Sequence, residues 1–196
     1  MNPVAVTGMV KINSKDMDSI ISNLNEHIRE MRFIHDLEKL AIVGVGLLLS
    51  DADIHFPVGS TDISLYIGID NAIEGIKDEY FNSVITYGIL GSSPLLFPFT
   101  SPNALTARIS IAFDIRGESI TIPVKYSCDD VIEYAIECIT GRYSRMAIAG
   151  GIMSSGLRNK GLRAEFSLLE DMKRAKERVA CVYQHIDAMD NPNNRE

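Results

Sequence analysis

Two rhythms of apolar and polar positions run through this chain. Residues 4–12 are β-rich and close on Asn13-Ser14, which predicts a first strand. Ser14 is a helix-capping type. Met17, Ile20, Ile21, Leu24, Ile28 and Met31 then recur at helical spacing with polar residues between them, predicting an amphipathic surface helix. Residues 35–50 are apolar on nearly all sides after Lys39. They predict a buried helix in which Gly44 and Gly46 admit a close neighbour, with a buried strand over 42–49 as the competing reading.

A loop carrying Asp51, Asp53, Pro57 and Gly59 follows, then a strand over 63–69. Residues 71–87 predict a helix with Ile73, Ile76, Tyr80, Phe81 and Val84 on one side. Residues 89–102 are irregular and rich in proline. Asn103 is expected to cap a helix reaching about 114, with Leu105, Ile109 and Phe113 inward and Arg116-Gly117 ending it. Residues 119–125 predict a strand. Residues 128–140 predict a helix buried along Val131, Ala135, Cys138 and Ile139, and 145–149 a short strand running into Gly150-Gly151. A long helix is expected over 164–189, with a polar, flexible tail over 190–196. Strands alternating with helices give an α/β class with a sheet between helical layers.

Composition narrows the partners. The net charge of −7 argues against nucleic acid. Residues 142–178 nevertheless carry nine bases against four acids, read either as a solvated helix face or as a docking face for an acidic partner. No run is long enough to cross a membrane, the longest apolar stretch being 40–49. No secretory signal opens the chain, so a cytoplasmic location is expected. Cys128, Cys138 and Cys181 are odd in number and lack metal-ligand spacing, which suits reduced thiols. Gly44-Val45-Gly46 lacks a third glycine and Gly150-Gly151 lacks the lysine of a phosphate loop. Neither a cofactor nor a metal is expected.

Four pieces in order carry a resemblance: Val4-Ala5-Val6-Thr7-Gly8-Met9, Phe97-Pro98-Phe99-Thr100-Ser101-Pro102-Asn103, residues 109–122 with Arg116-Gly117 at their turn, and Met146-Ala147-Ile148-Ala149-Gly150-Gly151. Together they resemble the N-terminal half of a β-ketoacyl synthase, a condensing enzyme of the thiolase fold. The resemblance implies a layered α/β/α domain with a mixed sheet over residues 1–155, followed by the helical extension 156–189. In that family the strand after the Arg-Gly turn delivers a cysteine to the start of the next helix, where the helix N-terminus favours a thiolate. Counting from Gly117 places that position at Tyr126; counting back from Gly150 places it at Lys125. Neither is a cysteine, and Cys128, followed by Asp129 and Asp130, stands just beyond. The family's catalytic histidines and lysine belong to its C-terminal half. His27, His35, His55 and His185 sit in no comparable motif and are expected to be structural or solvated.

A nucleophile without a base in reach is not expected to catalyse condensation alone. The resemblance therefore implies a non-catalytic ketosynthase-like subunit of a fatty-acid or polyketide system. It would be a homodimer or a chain-length-factor-like partner of an active ketosynthase, pairing through a strand that includes Ser119, Ile120, Thr121, Ile122 and Val124. Coverage of that strand within the monomer is the competing reading. Two other readings stay open: an adaptor holding an acidic acyl carrier protein on Arg142, Arg145, Arg158, Lys160 and Arg163, and an acyltransferase or condensing enzyme in which Cys128 is acylated with partner-supplied groups.

Overall fold

A computed structural model describes residues 3–21, 28, 31–33, 35–125, 127–154 and 161–186. Among them, β1 (Val4–Asn13), β2 (Ile63–Ile69), β3 (Ser119–Pro123), β4 (Met146–Ser154), β5 (Leu162–Asp171) and β6 (Gln184–Ile186) form one sheet in the order β3-β2-β4-β5-β1-β6. β2 runs parallel to β3 and β4, and the remaining pairs are antiparallel. The helices are α1 (Met17–Ile21), α2 (Asp36–Asp51), α3 (Glu74–Tyr87), α4 (Asn103–Phe113), α5 (Asp129–Thr140) and α6 (Met172–Glu177).

β2 is buried at every position and β4 at all but its last. Both therefore read as continuous apolar runs, as parallel strands covered on two faces do. On one face α2 and α4 pack Leu40, Val43, Ile109 and Phe113 against Ile63, Leu65, Ile67, Ile148 and Phe166. On the other, α5 sets Val131, Ala135 and Ile139 over Tyr66, Ala147 and Ala149. The result is the expected α/β/α layering. The helix reading of 35–50 holds, and its glycines admit neighbours: a Cβ on Gly44 would stand 2.6 Å from the Phe166 ring, and one on Gly46 would meet Ile28. The glycine pair in β4 has the same logic. Gly150 has φ 154°, and a Cβ there would strike the backbone of Glu165 on β5, while one on Gly151 would strike the Gly68 carbonyl on β2.

The largest difference from the sequence reading lies at the C-terminal side. The helix expected over 164–189 is instead β5, then the short α6, then β6. β5 fills the slot between β4 and β1 and pairs with both along its length. Leu162, Ala164, Phe166 and Leu168 face α2, while Arg163, Glu165 and Ser167 alternate to the other side. The segment's Leu, Ala, Glu and Arg are good helix formers, but its period is two, and the unfilled slot in the sheet decides.

Smaller differences have local causes. α4 stops at Phe113 because Asp114 takes a left-handed conformation (φ 53°), its N–H reaching the carbonyls of Ser110 and Ile111. Its carboxylate accepts two hydrogen bonds of 2.8 Å from Arg116, so Arg116-Gly117 lie beyond the end. Asn103 begins the helix without a side-chain cap, behind Pro102. The strand expected over 145–149 runs on to Ser154. The amphipathic stretch 14–31 shows a 3-10 turn (Ser14–Asp16) and α1 to Ile21; residues 22–27 and 29–30 lie outside the described residues, as does the tail 190–196.

Candidate functional site

β3 closes one end of the sheet. Its inner edge pairs with β2 from Leu65–Ser119 to Ile69–Pro123, and no strand among the described residues pairs with its outer edge. Ile120 and Ile122 are half-buried against the α5 cluster, with Val124 just beyond the strand end packed beside them. On the other face Thr121 Oγ1 lies 2.5 Å from Thr106 Oγ1, and Ser119 Oγ 2.9 Å from Ser110 Oγ, both on α4. Helices thus hold β3 from above and below while its outer ladder stays open. Coverage by another strand of the monomer is not what the described residues show. Pro123 ends the ladder, a common blunting device for an exposed edge.

The chain then turns into α5. Lys125 is exposed at the turn, Tyr126 lies outside the described residues, and Cys128 stands directly ahead of α5. Its side chain is 9% exposed, and Sγ lies 4.0 Å from Met153 Sδ on β4. It faces a cavity of about 390 Å³ between the start of α5 and strands β4, β5 and β1, with Lys11, Ile132, Arg163 and Glu165 in its walls. Lys11 Nζ pairs with Glu165 Oε2 at 3.0 Å. Burial pushes the Cys128 thiol up to about 11. The carboxylates of Glu165, Asp129 and Asp70 contribute to that rise, and Arg163 opposes them. The helix N-terminus that would favour a thiolate is therefore outweighed. Asp129 beside it in the sequence is a lesser cause, and the larger ones are burial and Glu165. Glu165 was missed because β5 had been read as helix. The period-two alternation of 162–168 was the signal available.

Of the five bases expected to form one face, the three that are described do not come together. Arg142, with φ 63°, and Arg145 are exposed at the turn leading into β4. Arg163 pairs with Met153 at the far end of that strand, about 23 Å away at a strand's rise per residue, and its Nη2 lies 3.7 Å from Met153 Sδ. Arg158 and Lys160 lie outside the described residues. Arg178, in the same basic stretch, is turned inward. Its Nη2 reaches the fully buried Glu170 at 2.5 Å, Glu170 also accepts from Thr7 Oγ1, and Arg178 Nη1 donates to the Ala52 carbonyl. Arg178 is thus part of the internal structure, while Lys173 and Lys176 stay exposed on α6.

His35 caps α2, its Nδ1 accepting from the Glu38 N–H at 3.1 Å, with its ring edge-on to Phe99 at 4.3 Å. Burial holds its pKa below the ordinary value despite Glu38, Asp36 and Glu79. His55 is exposed, His185 lies on β6, and His27 falls outside the described residues. Among the described residues no histidine lines the Cys128 cavity, no group of side chains has the makings of a metal site, and no helix is long and apolar enough to cross a membrane.

A mixed sheet between helical layers, with an edge strand leading into α5, is a fold the chain shares with solved ketosynthase structures. The chain belongs to the family described as beta-ketoacyl synthase, N-terminal domain, which matches residues 3–170 and so includes most of β5. It is 30% identical over 111 residues to probable polyketide synthase 10 of Dictyostelium discoideum, covering 53% of this chain and 4% of that one. Its fold is similar to that of the ishigamide ketosynthase/chain length factor (TM-score 0.70, 13% identity, 94% of this chain and 62% of that chain). It is also similar to a structure of a type II polyketide synthase acyl-carrier protein in complex with its ketosynthase bound to the hexaketide (TM-score 0.68, 16% identity, 95% and 67%). The chain thus spans under two thirds of the ketosynthase/chain length factor and a small fraction of the polyketide synthase.

Proposed function

We propose that this chain is a non-catalytic ketosynthase-like subunit of a polyketide or fatty-acid system, working by pairing with an active ketosynthase through the outer edge of β3. One observation carries the reading. The thiol nearest the expected nucleophile position, Cys128, is buried and neutral at the start of α5, in a cavity whose described walls hold no histidine and whose carboxylates oppose a thiolate. An activated nucleophile needs the opposite surroundings. The open edge supports the partner half of the reading. A strand added there would satisfy its free N–H and C=O groups and complete the burial of Ile120 and Ile122. Similarity to a ketosynthase/chain length factor fits such a pairing.

Among its described bases the carrier-protein reading keeps Arg142 and Arg145 on one turn, with Arg163 apart from them. Salt-sensitive binding to a carrier protein, lost on Arg145→Glu, would be needed to restore it. For the main reading, the tagged chain is purified from its source and its co-purifying proteins are identified by mass spectrometry. A ketosynthase in near-equal amount is expected, and Ile122→Lys is expected to abolish its recovery. Recovery of no ketosynthase, or condensation of acyl and malonyl carrier proteins by this chain alone, refutes it.

A further inference from the structure

α3 is fourteen residues long and buries a single side chain, Ile76, against the rest of the chain. Its other large apolar residues look outward. Phe81 and Ile85, one turn apart, are exposed, as is Tyr87 at the helix end. Gly88, with φ 73°, then leads into a 3-10 turn (Ile89–Gly91) on which Leu90 is fully exposed beside an exposed Ile89. A second 3-10 turn (Phe97–Thr100) returns against α3. Its exposed Phe97 ring lies 5.5 Å from that of Tyr80, with Leu95 exposed just ahead of it. At these exposures the helix and its turns leave on the order of 1,000 Å² of apolar residue in water, more than an ordinary monomer does.

The surface has no charge: from Tyr80 to Ala107 no side chain is acidic or basic. Its hydroxyls turn inward. Ser83, Ser92 and Thr100 donate to the carbonyls of Tyr80, Ile89 and Phe97 at 2.6, 2.8 and 2.8 Å. Pro94 and Pro98 carry no N–H to offer. A protein partner is ordinarily met with about one hydrogen bond per 100–200 Å². A surface that keeps its hydroxyl hydrogens on its own backbone suits a medium that offers no hydrogen bonds at all, which is what lipid chains are.

We infer that this surface seats the chain on a zwitterionic lipid bilayer, with α3 lying along the interface and Ile85, Ile89 and Leu90 reaching the acyl chains. The contact lies on the membrane and does not span it. Charge selects the kind of lipid. An interfacial helix drawn to anionic lipid carries Lys and Arg beside its apolar face. α3 carries Glu74, Asp78 and Glu79 against Lys77, on a chain whose net charge is −7. Tyr80 and Tyr87 supply the amphipathic rings that settle at headgroup level. The contact is separate from the pairing proposed for β3 and does not rest on it.

The test is sedimentation of the full chain with phosphatidylcholine vesicles, and with vesicles in which phosphatidylserine replaces about a third of the lipid. Half of the chain should be bound at or below about 0.1 mM phosphatidylcholine, the reach of a single myristoyl chain. Binding should persist in high salt and weaken on the anionic vesicles. Leu90→Asp and Ile85→Asp should each lower it at least about 10-fold. Both positions are exposed, so the subunit's own packing stays intact, which circular dichroism checks. Val179→Asp, on the exposed turn after α6, should leave binding near wild type. The chain has no tryptophan, so Leu90→Trp supplies a single reporter whose emission should shift to the blue on phosphatidylcholine. Any of four results overturns the inference: no binding at about 1 mM phosphatidylcholine, binding that needs phosphatidylserine or is lost in salt, binding unchanged by Leu90→Asp, or Leu90→Trp emission that does not move. A chain that self-associates without lipid and is dispersed by Leu90→Asp also overturns it, and each of these leaves the β3 reading standing.

Discussion

The three thiols offer a direct measure of how the fold treats Cys128. Its pKa is raised from an ordinary 9.0 to about 11, chiefly by burial, and the thiolate is the species that alkylates. At neutral pH that leaves roughly 100-fold less thiolate than an unperturbed thiol holds. Cys181 is exposed and serves as the internal reference. Native protein is treated with iodoacetamide at pH 7.5, quenched over time and digested. Cys128 and Cys138 fall in one tryptic peptide, so fragment spectra separate them, and Cys181 is read from its own peptide. Cys128 should label at least ~100-fold more slowly than Cys181, with a further lag from its low exposure. The rates should converge when the protein is unfolded in guanidinium. Glu165→Gln removes the second cause of the elevation and should speed Cys128 several-fold without reaching Cys181, because burial remains. Equal native rates at Cys128 and Cys181 would refute the reasoning and return Cys128 to the candidates for an acylated residue.

Other outcomes follow from the same geometry. Glu170→Ala leaves the Arg178 guanidinium without its buried partner and should cost about 3 kcal/mol in urea unfolding, as breaking a buried ion pair does. His35 has a folded pKa below 6.5, so between that lowered value and 6.5 the unfolded chain binds more protons. Stability should be full above about pH 6.5 and fall as pH drops through that window, and His35→Asn, which keeps a capping acceptor, should flatten the dependence. Gly150→Ala drives a Cβ into the Glu165 backbone at a positive φ and should lose about 3 kcal/mol or leave no soluble protein.

The sequence showed the core of this fold where a segment's period and its propensity agree. Residues 63–69 and 119–123 are β-branched and apolar, and both are strands. Residues 129–140 bury Val131, Ala135, Cys138 and Ile139 at helical spacing, as expected. It failed where the two disagree, over 162–171, because only the neighbouring strands β4 and β1 reveal that a strand is wanted there. The site shows the same division. The displacement of Cys128 from the expected nucleophile position is countable along the chain. The groups that govern its thiol, Glu165, Arg163 and Met153, reach it only through the sheet. The bases of 142–178 looked like one face in one dimension, and the strand length of β4 separates them in three.

The position of β1 in the sheet has a consequence for how the chain is made. β1 precedes both its neighbours, β5 and β6, with β2, β3 and β4 between them in the chain, and Val4 is paired to Asp171 and to Ile186. On the ribosome this apolar strand waits for β2, β3, β4 and then β5 to emerge before it can be zipped in. Such distant pairing slows folding and exposes β1 to wrong partners meanwhile. A nascent chain stopped before residue 162 would hold a sheet of β3, β2 and β4 and leave β1 stranded, which makes the arrival of β5 the committing event in assembly.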